Sequence, residues 1–194
     1  NTTWNPNRTT FAREDTVDEY PYGIFVNSNN AIYVPNRQTG QIQIWDNDTS
    51  INPSRTISGD SSDLHSIFVT SNGDIYVDNG KVKKRVDKWM TIMFVQSTCY
   101  GFFVDTYQNL YCSIHKYHRV EKKWLNDTTN ISTIVAGTGT QGSASDMLDS
   151  PVGIFVDINL DLYVADFENN RIQLFAFEQR NGVTIAGQGS IQET

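Results

Sequence analysis

Long apolar runs are missing from this 194-residue chain. No stretch reaches the roughly 18 consecutive apolar residues of a membrane-spanning helix, so none is expected. Uncharged stretches such as Met90 to Val104 are too short or too polar. Helical periodicity is missing as well: no segment repeats apolar residues at the spacing of an amphipathic helix. Positive charge is in the minority, 15 Lys and Arg against 22 Asp and Glu, for a net charge of −7 and a pI near 4.8. That balance argues against nonspecific binding to phosphate backbones or anionic membranes. Histidine occurs three times, with no His-x-His or His-Glu-x-x-His spacing. No Gly-x-Ser-x-Gly or phosphate-binding loop is found. Gly137 to Gly142 spells GxGxxG, but no helix follows, so the match is spurious. The first residues carry no basic segment followed by an apolar one, so a leader has been removed or the chain is a piece of a longer protein.

Aromatic residues, at 12%, are plentiful enough for a packed core. The chain is also internally repetitive. Four segments align without a gap: GIFVNSNNAIYV (Gly23 to Val34), SIFVTSNGDIYV (Ser66 to Val77), GFFVDTYQNLYC (Gly101 to Cys112) and GIFVDINLDLYV (Gly153 to Val164). Each is followed by a third run ending in an aromatic: QIQIW at Trp45, RVDKW at Trp89, RVEKKW at Trp124 and RIQLF at Phe175. The third copy carries one extra residue, Lys122 or Lys123. Self-similarity at this period is the mark of a repeat architecture. The repeats start 43, 35 and 52 residues apart, and the variation falls after the third run, which places the insertions in one loop region.

Within a repeat, the Phe-Val run suits a strand buried on both faces. The polar stretch after it reads as a hairpin turn, and Ile-Tyr-Val as a second strand. A turn at Asn36, Asn79-Gly80 or Asn169-Asn170 leads to the third run, whose alternation marks a half-buried strand. A fourth strand fits Ser54 to Ser58, Ile92 to Gln96, Ser132 to Ala136 and Val183 to Ala186. Four short antiparallel strands per unit of about 40 residues make the blade of a β-propeller, an all-β fold. A β-sandwich would not repeat in this way. The whole of 1–194 reads as one propeller region, with repeats at about 15–60, 61–96, 97–138 and 139–189. Residues 1–14 read as the end of a preceding blade: Trp4 fits the third-strand aromatic and Thr9 to Ala12 the fourth strand.

The last copy, GIFVDINLDLYVADFENNRIQLF (Gly153 to Phe175), resembles the NHL repeat, through Gly153, Val156-Asp157, Tyr163-Val164-Ala165-Asp166 and Asn170-Arg171-Ile172 to Phe175. The other copies are weaker: Asn36 stands in place of Asp166 in the first, and Cys112-Ser113-Ile114-His115 in the third. Linkers such as TIVAGTGTQGS (Thr133 to Ser143) resemble the extracellular NHL-repeat proteins of invertebrates. NHL propellers usually have six blades, so the resemblance implies that four blades plus an edge form an arc of a larger propeller. The exposed blade edges are then expected to pair with missing blades or a second chain.

Candidate sites follow from the repeat. Asn27, Thr70, Asp105 and Asp157 are equivalent positions at the ends of the inner strands. NHL-related lactonases and amidating lyases hold calcium or zinc with channel-facing groups of this kind. Only Asp105 and Asp157 are acidic here, and an Asp in this place also caps a turn. Asp157, Asn159 and Asp161 make the first half of a calcium loop with Glu168 at the twelfth position, although Leu162 stands where such a loop needs Gly. His65 shares a position with Tyr22, Tyr100 and Val152; His115 and His118 lie near the third repeat's second turn. Three His on two blades are a further candidate metal set. Cys99 and Cys112 flank the third inner hairpin. With Cys112 opposite Phe103, a disulfide requires Cys99 to fold back; the alternative is two buried thiols. Basic residues gather at Lys81, Lys83, Lys84, Arg85 and Lys88 and at Lys116, Arg119, Lys122 and Lys123, as candidates for one patch on outer strands. Sequons stand at Asn1, Asn7, Asn47, Asn126 and Asn130. Composition alone would give roughly three, so they tilt the chain towards an extracellular, secreted glycoprotein.

The expectation is a noncatalytic scaffold without cofactor. It would bind a protein, peptide or glycan through rim loops, chiefly Asn47 to Pro53 and Gly137 to Pro151. The first alternative is a calcium- or zinc-dependent hydrolase or lyase of the lactonase or amidating-lyase type. The second is an RNA-binding propeller, which the acidic balance disfavours.

Overall fold

The computed structural model describes residues 23–46, 52–59, 62–85, 89–94, 97–129 and 131–187, together with Ala12 and Val17. Trp4, Thr9 and Tyr22 lie outside the described residues, as do Lys88 and the sequons at Asn1, Asn7, Asn47 and Asn130. Among the described residues, sixteen strands form four separate four-stranded sheets. The first blade holds β1 (Phe25–Val26), β2 (Ile32–Pro35), β3 (Gln41–Trp45) and β4 (Arg55–Ser58). The second holds β5 (Ser66–Val69), β6 (Ile75–Asp78), β7 (Lys81–Arg85) and β8 (Trp89–Phe94). The third holds β9 (Cys99–Val104), β10 (Asn109–Ile114), β11 (Arg119–Trp124) and β12 (Thr133–Ala136). The fourth holds β13 (Pro151–Val156), β14 (Leu162–Asp166), β15 (Arg171–Phe175) and β16 (Val183–Gly187). Strands within a blade are antiparallel and neighbour one another in chain order. The inner strands β1, β5, β9 and β13 pack side by side in that same order.

Period-two alternation decides which blade each side chain meets. Tyr33, Ile42 and Ile44 of the first blade pack with Ile67, Val69 and Val77 of the second. Tyr76 and Val82 of the second meet Phe102, Val104 and Leu110 of the third. Tyr111 and Val120 of the third meet Val156, Leu162 and Val164 of the fourth. One face of every strand therefore looks back and the other looks forward. With about 1.5–3 kcal/mol for each large apolar side chain fully buried, these three seams dominate the stability of the arc.

The Phe of each Phe-Val run builds a ladder across the blades. Ring centroids are 4.9 Å apart for Phe25–Phe68 and 5.3 Å for both Phe68–Phe103 and Phe103–Phe155. The planes are tilted or edge-to-face, the arrangement that ring quadrupoles prefer. The ladder runs out at both ends. Ile24, on the backward face of the first blade, is 67% exposed, and Phe155, on the forward face of the fourth, is 53% exposed. Burial on both faces thus holds for inner strands between two blades and fails at the ends of the arc.

Three readings of the repeat change. The third strand of the second blade ends at Arg85, and Trp89 opens β8 directly opposite it. The indole still serves the same seam: it packs on the first core cluster, and its Nε1 donates to the Ser58 carbonyl at 3.0 Å. The fourth strand there consequently begins at Trp89 rather than Ile92, and runs to Phe94 among the described residues, with Val95 and Gln96 outside them. The loops that vary in length do not share one region either. In an antiparallel meander, the turns after the first and third strands lie at one end of a blade. The turn after the second strand and the link to the next blade lie at the other. Asp46 and Ser54, which flank the first blade's third turn, therefore lie at the opposite end from Gly137 to Ser150.

The inner hairpin of the third blade also corrects the cysteine geometry. Cys112 lies opposite Phe102, and an irregularity between Ser113 and Ile114 sets Cys99 opposite Ile114. The bulge brings the two Cα atoms to 5.3 Å, and the residues form a disulfide.

Candidate functional site

At the first-turn end, Asn27, Thr70, Asp105 and Asp157 each close a hairpin. The Asp105 carboxylate accepts from the backbone N–H groups of Tyr107 (2.9 Å) and Asn109 (2.8 Å), from Asn109 Nδ2 (2.9 Å) and from the Tyr111 hydroxyl (3.1 Å). Asp157 Oδ1 accepts from the N–H groups of Asn159 and Asp161, both at 2.9 Å. Asn27 Oδ1 does the same for Asn29 and Ala31, and Thr70 Oγ1 for Asp74. These are turn caps, the local hydrogen bonding that short polar side chains favour. Burial, and then the Asp105 charge, push the Tyr111 phenol far above its ordinary range.

The proposed calcium loop is divided by a strand. Asp157, Asn159 and Asp161 lie in the first turn, and Asp161 Oδ1 accepts from the Phe177 N–H at 2.8 Å. β14 then carries the chain to the other end, where Glu168 lies in the second turn. Five strand residues span about 17 Å, too far for one ion. His65, just before β5, likewise lies at the opposite end of its inner strand from the position of Asp105 and Asp157. Among the described residues no group of three His, Cys, Asp or Glu side chains is placed to share a metal ion.

The second-turn end carries the more constructed surface. His65, Tyr100 and His115 form a row of rings across the second and third blades, with centroids 6.0 Å and 4.7 Å apart; the Tyr100–His115 pair is stacked. On the same end, the long link Gly137 to Ser150 is braced by the fourth blade. Arg171 donates to the carbonyls of Ser143 (2.8 Å), Ala144 (3.1 Å) and Met147 (3.1 Å), and Asn169 donates to the Gly142 carbonyl at 2.9 Å. Arg171 is itself oriented by fully buried Asp166 at 2.7 Å, and Asp166 also accepts from the Asp149 N–H at 2.6 Å. The Ser150 N–H donates to His118 Nδ1 at 3.1 Å and ties the link to the third blade. His118 is thus a structural anchor, apart from the ring row.

Among the described basic residues, four are engaged within the fold. Lys84 pairs with Asp74 at 2.6 Å and lies over the Tyr76 ring. Arg85 donates to the Ser58 carbonyl of the first blade. Arg119 pairs with Glu121. Lys123 is buried and donates to the carbonyls of Asp127, at 3.1 Å, and Thr129.

Two buried polar positions escape sequence reasoning. Lys123 lies opposite Leu110, as Trp45 lies opposite Ile32 and Phe175 opposite Leu162, so it takes the aromatic position. The extra residue of the third copy could have signalled this. The other is Asp78, fully buried at the seam of the second and third blades. It accepts from the N–H groups of Cys99 (2.7 Å) and Gly80 (3.0 Å). Burial outweighs those donors and lifts its carboxyl to about 7.

The family model for the NHL repeat matches residues 148–175, within the fourth blade. No curated protein matches the sequence significantly. Among solved structures, similarity extends to a streptogramin B lyase (15% identity, TM-score 0.65), with 84% of this chain and 53% of that one covered. A catalytically inactive virginiamycin B lyase from Staphylococcus aureus with quinupristin aligns at 16% identity and TM-score 0.60, over 84% and 54% of the two chains. An auxiliary nutrient binding protein from Bacteroides ovatus aligns at 15% identity and TM-score 0.69, over 88% and 48%. The chain spans about half the length of these proteins, and at such identities the likeness is one of fold. The chain thus carries a match to the NHL repeat within its fourth blade, and the neighbours share with it a propeller fold.

Proposed function

We propose that this chain is a noncatalytic propeller scaffold that binds a protein, peptide or glycan at its second-turn rim. The carrying observation is the braced link from Gly137 to Ser150, held by Arg171 and Asn169 on the same end as the His65–Tyr100–His115 ring row. A loop fixed in advance loses little entropy on binding, and the exposed Tyr100 ring, with half-buried His115 stacked on it, supplies contact area. Likeness to a nutrient binding protein supports the reading. The disulfide supports an extracellular setting, because such bonds persist in oxidising compartments. At the ends of the arc, Ile24 and Val26 on one side and Phe155 and Val183 on the other are exposed apolar faces, to be covered by further blades or a second chain.

Peptide and glycan arrays probed with the chain test this. Ligands retained by the wild type and lost from a Tyr100→Ala, His115→Ala variant support rim binding. A ligand recovered chemically altered would overturn it in favour of a lyase, the reading that the streptogramin B lyase neighbour favours. A stoichiometric calcium or zinc in the intact protein would have the same effect. RNA affinity that falls steeply with salt would instead indicate the nucleic-acid alternative.

A further inference from the structure

The third blade exposes the aromatic at the end of its third strand, whereas the first and fourth blades bury theirs. Trp45 and Phe175, at the ends of β3 and β15, are 1% and 2% exposed, whereas Trp124, at the end of β11, is 53% exposed. The extra residue of this copy puts Lys123 in the buried position and turns Trp124 outward. A large ring left in water gives up the burial that favours its type elsewhere.

The residues after Trp124 make a defined turn. The Asp127 N–H donates to the Trp124 carbonyl at 3.2 Å, and the Leu125 N–H to the Gln108 carbonyl at 2.9 Å. Buried Lys123 holds the carbonyls of Asp127 and Thr129 from below. The Asp127 carboxylate is engaged by Thr129, through its N–H at 2.8 Å and its hydroxyl at 2.7 Å. Asn126 and Thr128 are left exposed, and neither side chain hydrogen-bonds to another described residue. The order Trp124-Leu125-Asn126-Asp127-Thr128 thus places an exposed ring two residues before the acceptor of a sequon and its hydroxyl two residues after.

We propose that Asn126 carries an N-linked glycan whose first sugar lies against the Trp124 ring. The C–H bonds on one face of a pyranose carry partial positive charge and are drawn to the negative face of an aromatic ring, as the ring's own quadrupole dictates. The sugar covers the apolar surface that the extra residue exposes, while its hydroxyls remain in water. In the transfer, Asn126 Nδ2 forms a bond to C1 of a polyprenyl-pyrophosphate-linked oligosaccharide. The C1–O bond breaks, the pyrophosphate leaves with its electron pair, and the amide proton passes to a base of the transferase. All five residues are local, so the turn can form around the sugar before the blade is complete. The proposal rests on the extracellular setting above and not on what the rim binds.

The test is to secrete the chain from cultured animal cells behind a heterologous leader, beside a reporter glycoprotein. Peptide mapping after enzymatic deglycosylation is expected to find modification at Asn126, abolished by Thr128→Ala. Removing the glycan from the folded protein is expected to lower its melting temperature by about 1–4 °C. In Trp124→Ala the same removal is expected to have no such effect. An unmodified Asn126 in cells that glycosylate the reporter overturns the site. An equal loss on deglycosylation with and without the tryptophan overturns the stacking. Neither result bears on array binding by the rim.

Discussion

The third and fourth blades share one backbone plan and close it with opposite chemistry. The fourth seals its outer edge with buried Phe175 and its second turn with the Asp166–Arg171 pair. The third puts Lys123 under two loop carbonyls where Phe175 would lie, and holds its inner hairpin with the Cys99–Cys112 disulfide. Their links to the preceding blade differ in the same sense. β9 begins on the Asp78 carboxylate, through the Cys99 N–H, whereas near the start of β13 the Val152 carbonyl accepts from the Ser113 hydroxyl. The repeat therefore specifies a position to be filled rather than a residue to fill it. An apolar plug and an amine hydrogen-bonded to two carbonyls both fill a buried site, because burial penalises chiefly the polar group left unpaired.

The largest test of this contrast compares the two aromatic ends. Phe175→Ala should cost about 3–5 kcal/mol through the cavity it leaves, and Trp124→Ala on the unglycosylated chain no more than about 0.5 kcal/mol. Urea midpoints decide it, and equal losses would mean that the two positions are equivalent after all. Next in size is the disulfide, which spans 13 residues. Cys112→Ala should cost about 3 kcal/mol, with protection from hydrogen exchange lost first on β9 and β10.

A pH series separates the two links. The Asp78 carboxyl titrates near 7 in the folded chain against an ordinary 3.8, so its contribution is fully present below about 4 and is lost as pH rises through 7. Stability should fall with rising pH in that window by up to about 1.4 kcal/mol per unit, and Asp78→Asn should flatten the slope. The Ser113 link carries no such dependence. The last test is Lys123→Met, which leaves the Asp127 and Thr129 carbonyls without this donor at a cost of about 1–2 kcal/mol. No loss on chemical denaturation would show that the amine is dispensable there.

Much of this architecture can be read before any coordinates. The Phe-Val runs mark the inner strands because a strand between two blades is apolar on both faces, and the polar tetrads after them mark turns that Asn, Thr and Asp can cap. The misplacement of Trp89 has a simple cause. Counting residues from the start of a repeat assumes equal turns, and the second blade shortens its second turn to Asn79-Gly80. The disulfide required the bulge at Ser113, which moves Cys99 into reach and leaves no local mark in composition. Of the site candidates, the hairpin acids were placed correctly on their turns. Their separation from His65 and Glu168 by whole strands emerges only once the strands are laid out.

The sequence alone determined the four repeats and, apart from the last two strands of the second blade, the strands within them, because hydrophobic alternation and turn chemistry act over a few residues. Tertiary structure decided which blade each face meets, that Asp78 is buried, that Lys123 replaces an aromatic and that Trp124 faces water. Those outcomes depend on strand register and on the neighbouring blade, and a one-residue shift in register moves every side chain to the other face.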